Sequence, residues 1–517
     1  MLEPYVTEPY SDFSDPARRA AYELAVAGVQ AKLGLHAPLV IGGEEIQAPG
    51  VITSVNPAQP DQVVGTASSA GEEQADRALD AAWVAFEDWS RTPADDRAEL
   101  VFRVGDLMAA RKYELAAWQT LEAGKNWTEA EADVAEAIDF CRYYAHLAIQ
   151  MDQPVPVAQY PGEINESWLQ PIGAGAIIPP WNFPLAILTG MAMGPVAAGN
   201  TVVVKPASAT PLVGWSFMEI VREAGLPAGV VNFLPGSGAV VGDRLVDNPR
   251  TRFVNFTGSK DVGLRIAARA AVVHPQQEFL KRAYMELGGK DAMIVDDTAD
   301  LEAAAADIVR SAYGFQGQKC SACSRLIVLA DVHDDLLDAV VELTASLEVG
   351  RPVDNAVVGP VISQQQHRSI LDEIAQAQTQ NKLVQGGGPI DKEGGYYIEP
   401  TILADVGPEN RVAQHEIFGP VLAVIKAADF DEAIAIANGT EFGLTGGIYS
   451  SNPERIERAK HEFHVGNLYV NRKITGALVG IQPFGGFKMS GSNAKAGGPD
   501  YLRLFMEMKT VAQRIEG

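Results

Sequence analysis

From Pro171 to Asn471, short β-branched runs alternate with amphipathic helices, and this alternation constrains the fold more than any other feature. TVVVKP at 201–206, VVNFLPG at 230–236, RFVNFTGS at 252–259 and AYMELGG at 283–289 read as strands. Between them PLVGWSFMEIVREAG, VGDRLVDNP and VGLRIAARA read as helices, the first closed by Gly225. The rhythm resumes after Gly289 with DAMIVDD, LEAAAADIVRSAYGFQ and RLIVLA, and runs on to GNLYVN at 466–471. Strands that alternate with helices lie parallel, because each crossover returns the chain to the same end of the sheet. Two open α/β domains are therefore expected, meeting around 286–320. Ahead of them, Ser69 to about Tyr144 repeats apolar residues three and four apart and reads as helical.

The 517 residues allow several domains at about 100–200 residues each. With 66 acidic against 41 basic residues the net charge is −25, a surface that repels phosphate backbones and argues against nucleic-acid partners. Ser167 to Val204 carries no charge, but five prolines interrupt it, so it reads as buried core and not as a membrane span. Three cysteines are too few for a disulfide framework and suit a reducing cytosol. The opening MLEPYVTEPYSDFSD lacks the basic and apolar regions of a signal peptide, so a cytoplasmic protein is expected. Gln153–Gln170 and YLRLFMEMKTVAQR near the end have β character; they read either as edge strands or as a subunit-bridging element.

Gly236-Ser237-Gly238-Ala239-Val240-Val241-Gly242 sits between a strand and a helix, where backbone N–H groups can meet a phosphate. Its spacing is one residue longer than the dinucleotide fingerprint, and alone it reads as readily as an ordinary helix-leading turn. Lys205 and the segment Phe256-Thr257-Gly258-Ser259 end neighbouring strands at the edge where open α/β sheets bind ligands. Cys320, in GQKCSAC, follows a helix and has Lys319 beside it, a setting that favours the nucleophilic thiolate. Cys320 with Cys323 also fits a redox pair, or two inert buried thiols. Glu286 ends an apolar strand before a double glycine, and burial there would raise its pKa toward that of a useful base. Asn182 lies in the uncharged stretch, where its amide could face an oxyanion or merely fix a loop. The eight histidines are scattered and no HExxH spacing occurs, so no metal is expected.

Taken together, the motifs PWNFP (180–184), KPAS (205–208), PGSGAVVG (235–242), FTGS (256–259), ELGGK (286–290), GQKCSA (317–322), EIFGP (416–420) and PFGGFKMSG (483–491) resemble the NAD(P)-dependent aldehyde dehydrogenases in order and rough spacing. The resemblance spans nearly the whole chain. It implies an α/β fold: a Rossmann-type dinucleotide-binding domain at 1–150 and 171–288, an α/β catalytic domain at 289–485, and a small β oligomerisation flap from 151–170 and 486–517. It casts Cys320 as the nucleophile, Asn182 as an oxyanion donor and Glu286 as the base for water. For the cofactor it implies Trp181, Lys205, Ser208, Gly238, Gly242, Phe256, Thr257, Gly258, Ser259, Val262, Leu287, Glu416 and Phe418. Several NAD-selective members carry an acidic residue where Ser208 stands, so NAD is expected and NADP stays open.

ADVAEAIDFCRYYA (132–145) and GNLYVNRKITGALVGIQPFGGFK (466–488) are similar to the branch of that family that oxidises L-glutamate γ-semialdehyde, the hydrolysed form of Δ1-pyrroline-5-carboxylate, to glutamate in proline breakdown. That similarity implies Ser321, Gly476 and Ala477 at the substrate carboxylate, Glu136 near its ammonium, and Phe183 and Phe484 along its stem. It also implies a homo-oligomer, at least a dimer, and a functional link to a proline dehydrogenase. Another small aldehyde, such as succinic semialdehyde, is the alternative substrate.

Overall fold

The computed structural model describes residues 2–515. Its first large sheet runs, in spatial order, Arg282–Glu286, Phe253–Thr257, Ala174–Ile178, Thr201–Val204, Val231–Phe233, Leu39–Ile41 and Glu44–Ile46. The first five are parallel. After the edge hairpin of Leu39–Ile41 and Glu44–Ile46, the parallel part starts in the middle, at Ala174–Ile178, winds outward on one side and then returns to add Phe253–Thr257 on the other. This reversal opens a crevice beyond the carboxyl ends of the strands, the usual ligand site of a doubly wound sheet. All five residues of Ala174–Ile178 and all four of Thr201–Val204 are buried, which accounts for the uncharged run. Each isoleucine and valine among them contributes about 1.5–3 kcal/mol on leaving water.

The second large sheet runs Lys382–Gln385, Thr401–Ala404, Val421–Ala427, Arg325–Leu329, Ala292–Val295, Thr445–Tyr449 and Asn467–Val470, with only Lys382–Gln385 antiparallel. Helices cover both of its faces, building separate apolar clusters around Ile294 and around Val295. The region read as helical holds Glu72–Trp89, Ala94–Ala110, Lys112–Glu122 and Trp127–Met151, the last running beyond the expected end. A three-stranded sheet of Leu35–Ala37, Gln59–Ser69 and Gly50–Asn56 precedes it.

Glu163–Pro171 and Met506–Arg514 form a two-stranded antiparallel ribbon, in register from Met506 opposite Pro171 to Arg514 opposite Glu163. The two β-like segments therefore pair with each other. Tyr501 and Phe505 root the ribbon in the first domain: Tyr501 stacks on Tyr144 at 5.2 Å and Phe505 lies 5.0 Å from Phe253. Among the described residues, no helix is long and apolar enough to cross a membrane.

Candidate active site

Cys320 and Glu286 come from different sheets and line one cavity of about 110 Å³. Glu286 is the last residue of the strand Arg282–Glu286. Cys320 follows a tight turn, Gly314–Gly317, between the helix Leu301–Tyr313 and the strand Arg325–Leu329. Phe315, Gln316 and Gly317 in that turn all have positive φ, at 50°, 56° and 67°. Two non-glycine residues in succession there store strain, which the surrounding packing must hold. Gly317 is required, since a Cβ would lie 2.3 Å from the Gly419 carbonyl oxygen.

Glu136, Phe183, Ser321, Gly476, Ala477 and Phe484 line the same cavity, so all the residues expected at the substrate meet there. Thr257, expected on the cofactor side, also faces it, as do Met191, Asn255, Tyr284 and Tyr501, which carry no motif signal. Burial pushes the Glu286 carboxyl well above its usual range, against the pull of Lys495 and the Gly486 N–H. Its Oε1 is buried without a hydrogen-bond partner among the described residues. Burial also raises Glu136 to about 8, with Asp133 adding to the effect.

The Cys320 thiol is pushed well above the ordinary thiol range by burial, and then by the carboxyls of Glu286, Asp291, Glu416 and Glu136. This corrects the expectation that Lys319 favours the thiolate. Lys319 Nζ pairs with Glu129 at 2.6 Å, so its charge is already matched. Cys323 turns into the core, its Sγ 3.4 Å from the Arg325 carbonyl, and burial raises it to about 12. All three cysteines are free, and of Cys320 and Cys323 only Cys320 lines the cavity shared with Glu286. Asn182 is buried and donates its side-chain amide to the Gln318 carbonyl at 3.1 Å, tying its loop to the cysteine turn.

Behind this wall lies a set of buried charges that the sequence did not single out. Lys125 and Asp133, both fully buried, pair at 2.5 Å. The second Asp133 oxygen accepts the Ala186 N–H at 2.6 Å, fixing the start of the helix Ala186–Ala197 directly after Trp181, Asn182 and Phe183. The Lys125 ammonium lies 4.1 Å from the Phe183 ring centroid, a cation–π contact that holds this cavity wall. Glu122 is likewise buried and accepts the N–H groups of Leu212 at 3.0 Å and Val213 at 2.8 Å, capping the helix that follows KPAS.

On the crevice side, Lys205 is buried at the end of its strand and donates to the carbonyls of Pro206 at 2.9 Å and Gly236 at 3.4 Å. With no carboxylate partner among the described residues, burial lowers it to about 8. Gly238–Gly242 forms a single π-helical turn, whose wider coil takes up the extra residue in the glycine spacing. Gly242 is buried against Lys205, and a Cβ there would meet its Cδ at 3.7 Å. Ser208, Gly238, Ser259 and Val262 are exposed and Gly258 is partly so. Phe256 and Leu287 put their side chains into an apolar cluster with Ile178 and Ile266. Glu416 accepts the Gly289 N–H at 3.0 Å, and burial raises it to about 7. Phe418, with φ 56°, sets its ring 5.6 Å from that of Trp181. A buried lysine without a carboxylate partner among the described residues, next to the exposed turn at 237–240, fits a ligand rich in hydroxyls and phosphate.

A thiol and a buried carboxyl line one cavity beside the crevice of a doubly wound sheet, and residues 45–511 match the aldehyde dehydrogenase family. The chain belongs to that family, which uses NAD(P) to oxidise aldehydes. Among its relatives, the 1-pyrroline-5-carboxylate dehydrogenase of Geobacillus kaustophilus (strain HTA426) is 53% identical over 514 residues, covering 99% of this chain and 100% of that one. The crystal structure of 1-pyrroline-5-carboxylate dehydrogenase from Thermus with bound NAD superposes with a TM-score of 0.98 at 53% identity over 99% of each chain. Proline utilization A from Bdellovibrio bacteriovorus superposes at 0.97 with 46% identity, over 99% of this chain and 53% of that one.

Proposed function

We propose that this chain oxidises L-glutamate γ-semialdehyde to L-glutamate with NAD, the last step of proline breakdown. The observation that carries the reading is the shared cavity of Cys320 and Glu286, which Ser321, Gly476, Ala477 and Glu136 also line. The full-length likeness to the 1-pyrroline-5-carboxylate dehydrogenases supports it.

Cys320, once ionised, adds to the aldehyde carbon, and Asn182 with the Cys320 N–H stabilises the oxyanion. NAD, when bound, accepts the hydride that leaves the thiohemiacetal carbon. Glu286 then takes a proton from water, whose oxygen attacks the thioester; the C–S bond breaks and the Cys320 sulfur leaves. A carboxyl with a raised pKa is the stronger base once ionised, which suits that step. Ser321 and the N–H groups of Gly476 and Ala477 hold the substrate carboxylate without leaving a buried cation unpaired in the empty site. Glu136 takes the ammonium, while Phe183 and Phe484 flank the stem.

Trp181, Lys205, Gly238, Gly242, Ser259, Glu416 and Phe418 would hold the cofactor, Lys205 at a ribose and Glu416 at the nicotinamide ribose. We take the division at 288/289 as the boundary between nucleotide and catalytic domains, and the ribbon of 163–171 with 506–514 as the element that joins subunits into at least a dimer. The reading places the enzyme in the cytoplasm, functionally linked to a proline dehydrogenase.

Initial rates for glutamate semialdehyde, succinic semialdehyde and propanal, each with NAD and NADP, test the reading. Glutamate semialdehyde with NAD should lead. A tenfold preference for succinic semialdehyde, about 1.4 kcal/mol at the transition state, would overturn the assignment.

A further inference from the structure

Residues ahead of the first helix, Pro16–Gln30, cross the helix Trp127–Met151 as a strap without regular secondary structure and reach the cavity from behind. Tyr5 donates its hydroxyl to the Val479 carbonyl at 2.7 Å, and its ring lies 5.2 Å from that of Tyr143. The strap is fastened along its length. Glu8 gives its N–H to Asp139 at 2.8 Å, and its carboxylate pairs with Arg142 at 2.9 Å and Lys112 at 3.2 Å. Ser11 bonds Glu131 through its N–H at 3.1 Å and its hydroxyl at 3.0 Å.

Val479 ends the stretch 476–479 that lines the cavity. Gly480 follows with φ 76°, enclosed so closely that a Cβ would meet ring carbons of Tyr5 and Tyr143 at 3.1 Å each. Apart from Tyr5, the stretch is tethered by the Leu478 N–H to the Gln482 side chain at 2.9 Å, by the Leu478 carbonyl, which accepts the Ile481 and Gln482 N–H groups at 3.1 and 2.9 Å, and by the Gly480 N–H to the Gly497 carbonyl at 2.9 Å. None of these bonds engages the Val479 carbonyl. Backbone N–H groups hold an anion only while they point at it, and a tether on the Val479 carbonyl, two residues beyond Ala477, limits how far the loop that presents the Gly476 and Ala477 N–H groups can move.

We propose that the strap is a specificity element and Tyr5 a positioning residue, which aims the Gly476 and Ala477 N–H groups at the substrate carboxylate through Val479. The proposal rests on the assignment of those two N–H groups to the carboxylate. It accounts for a tyrosine hydroxyl that reaches 474 residues along the chain to a single carbonyl.

The test compares the full-length enzyme with Tyr5→Phe, which removes the hydroxyl and keeps the ring. KM and kcat are measured for glutamate semialdehyde and for propanal, which has no carboxylate, at saturating NAD. Amide hydrogen exchange at 476–480 is followed in the ligand-free proteins. The expected result is a rise of about three- to tenfold in KM for glutamate semialdehyde, the equivalent of one hydrogen bond. Its kcat and the KM for propanal should stay unchanged, and exchange at 476–480 should quicken. A parallel rise in both KM values, or no change in either, overturns the proposal. A wild-type enzyme with no preference for the carboxylated aldehyde overturns the assignment of the carboxylate site and the strap's role with it; quickened exchange alone, with preference intact, refutes only the strap's role in specificity.

Discussion

Lys319, the residue immediately before Cys320, directs its ammonium to Glu129 at 2.6 Å and away from the thiol. The cysteine therefore sits among the carboxyls of Glu286, Asp291, Glu416 and Glu136, which together with burial hold its thiol above the ordinary range.

Alkylation by iodoacetamide measures this directly. In the ligand-free enzyme the rate at Cys320 should still be rising at about pH 10, where an ordinary thiol of pKa about 8.5 is almost fully ionised and its rate has levelled off. Lys319→Met should leave that profile in place while lowering stability by about 1–3 kcal/mol, because Glu129 loses its partner. A thiol profile that moves to higher pH in the variant would show that Lys319 does act on Cys320.

Rapid mixing separates the two chemical roles. Cys320→Ala should give no NADH at all. Glu286→Gln should release a burst of one NADH per subunit and then stall, with the steady rate down by about 10²–10⁴. Cys323→Ala should turn over normally, since that sulfur lies in the core.

Glu136 sets a pH dependence with a definite sign. Burial holds its carboxyl at about 8 in the empty cavity, so at pH 7 it is largely protonated. A substrate ammonium favours the carboxylate, and binding below pH 8 must expel the proton. KM for glutamate semialdehyde should therefore fall as the pH rises toward 8 and then level off. Propanal should lack this dependence, and Glu136→Gln should abolish it.

Gly288→Ala probes the cofactor side by steric means alone. A Cβ at 288 would fall 2.1 Å from Glu416 Oε2, displacing a carboxylate that now accepts the Gly289 N–H. KM for NAD should rise about ten- to a hundredfold, the equivalent of one hydrogen bond to a charged group, with an unchanged circular dichroism spectrum. An unaltered KM would remove Glu416 from the nicotinamide ribose.

Thr201–Val204 is legible as a strand because its four buried residues are three valines and a threonine, and nothing competes with that pattern. Gln59–Ser69 is a strand of eleven residues, yet QPDQVVGTASS carries no clear strand alternation, and its order comes from pairing with Gly50–Asn56. The site divides the same way. Cys320, Glu286 and Asn182 stand in motifs whose order betrays the family, whereas their buried supports do not. Glu129 and Asp133 share one helix face at a spacing of four, which ordinarily marks a solvated surface. Here that face turns inward onto Lys125 and Lys319. Glu122 caps a helix 90 residues away, a partnership that no local pattern records.

The ribbon between Glu163–Pro171 and Met506–Arg514 makes the order of synthesis matter. Tyr501, Leu502 and Phe505 belong to the apolar interior of the first domain, although they are translated after the entire second sheet. A nascent chain that has emerged only as far as residue 490 still lacks the rings that pack on Tyr144 and Phe253. Its earliest domain must wait, partly open on the ribosome, for the last segment to close it.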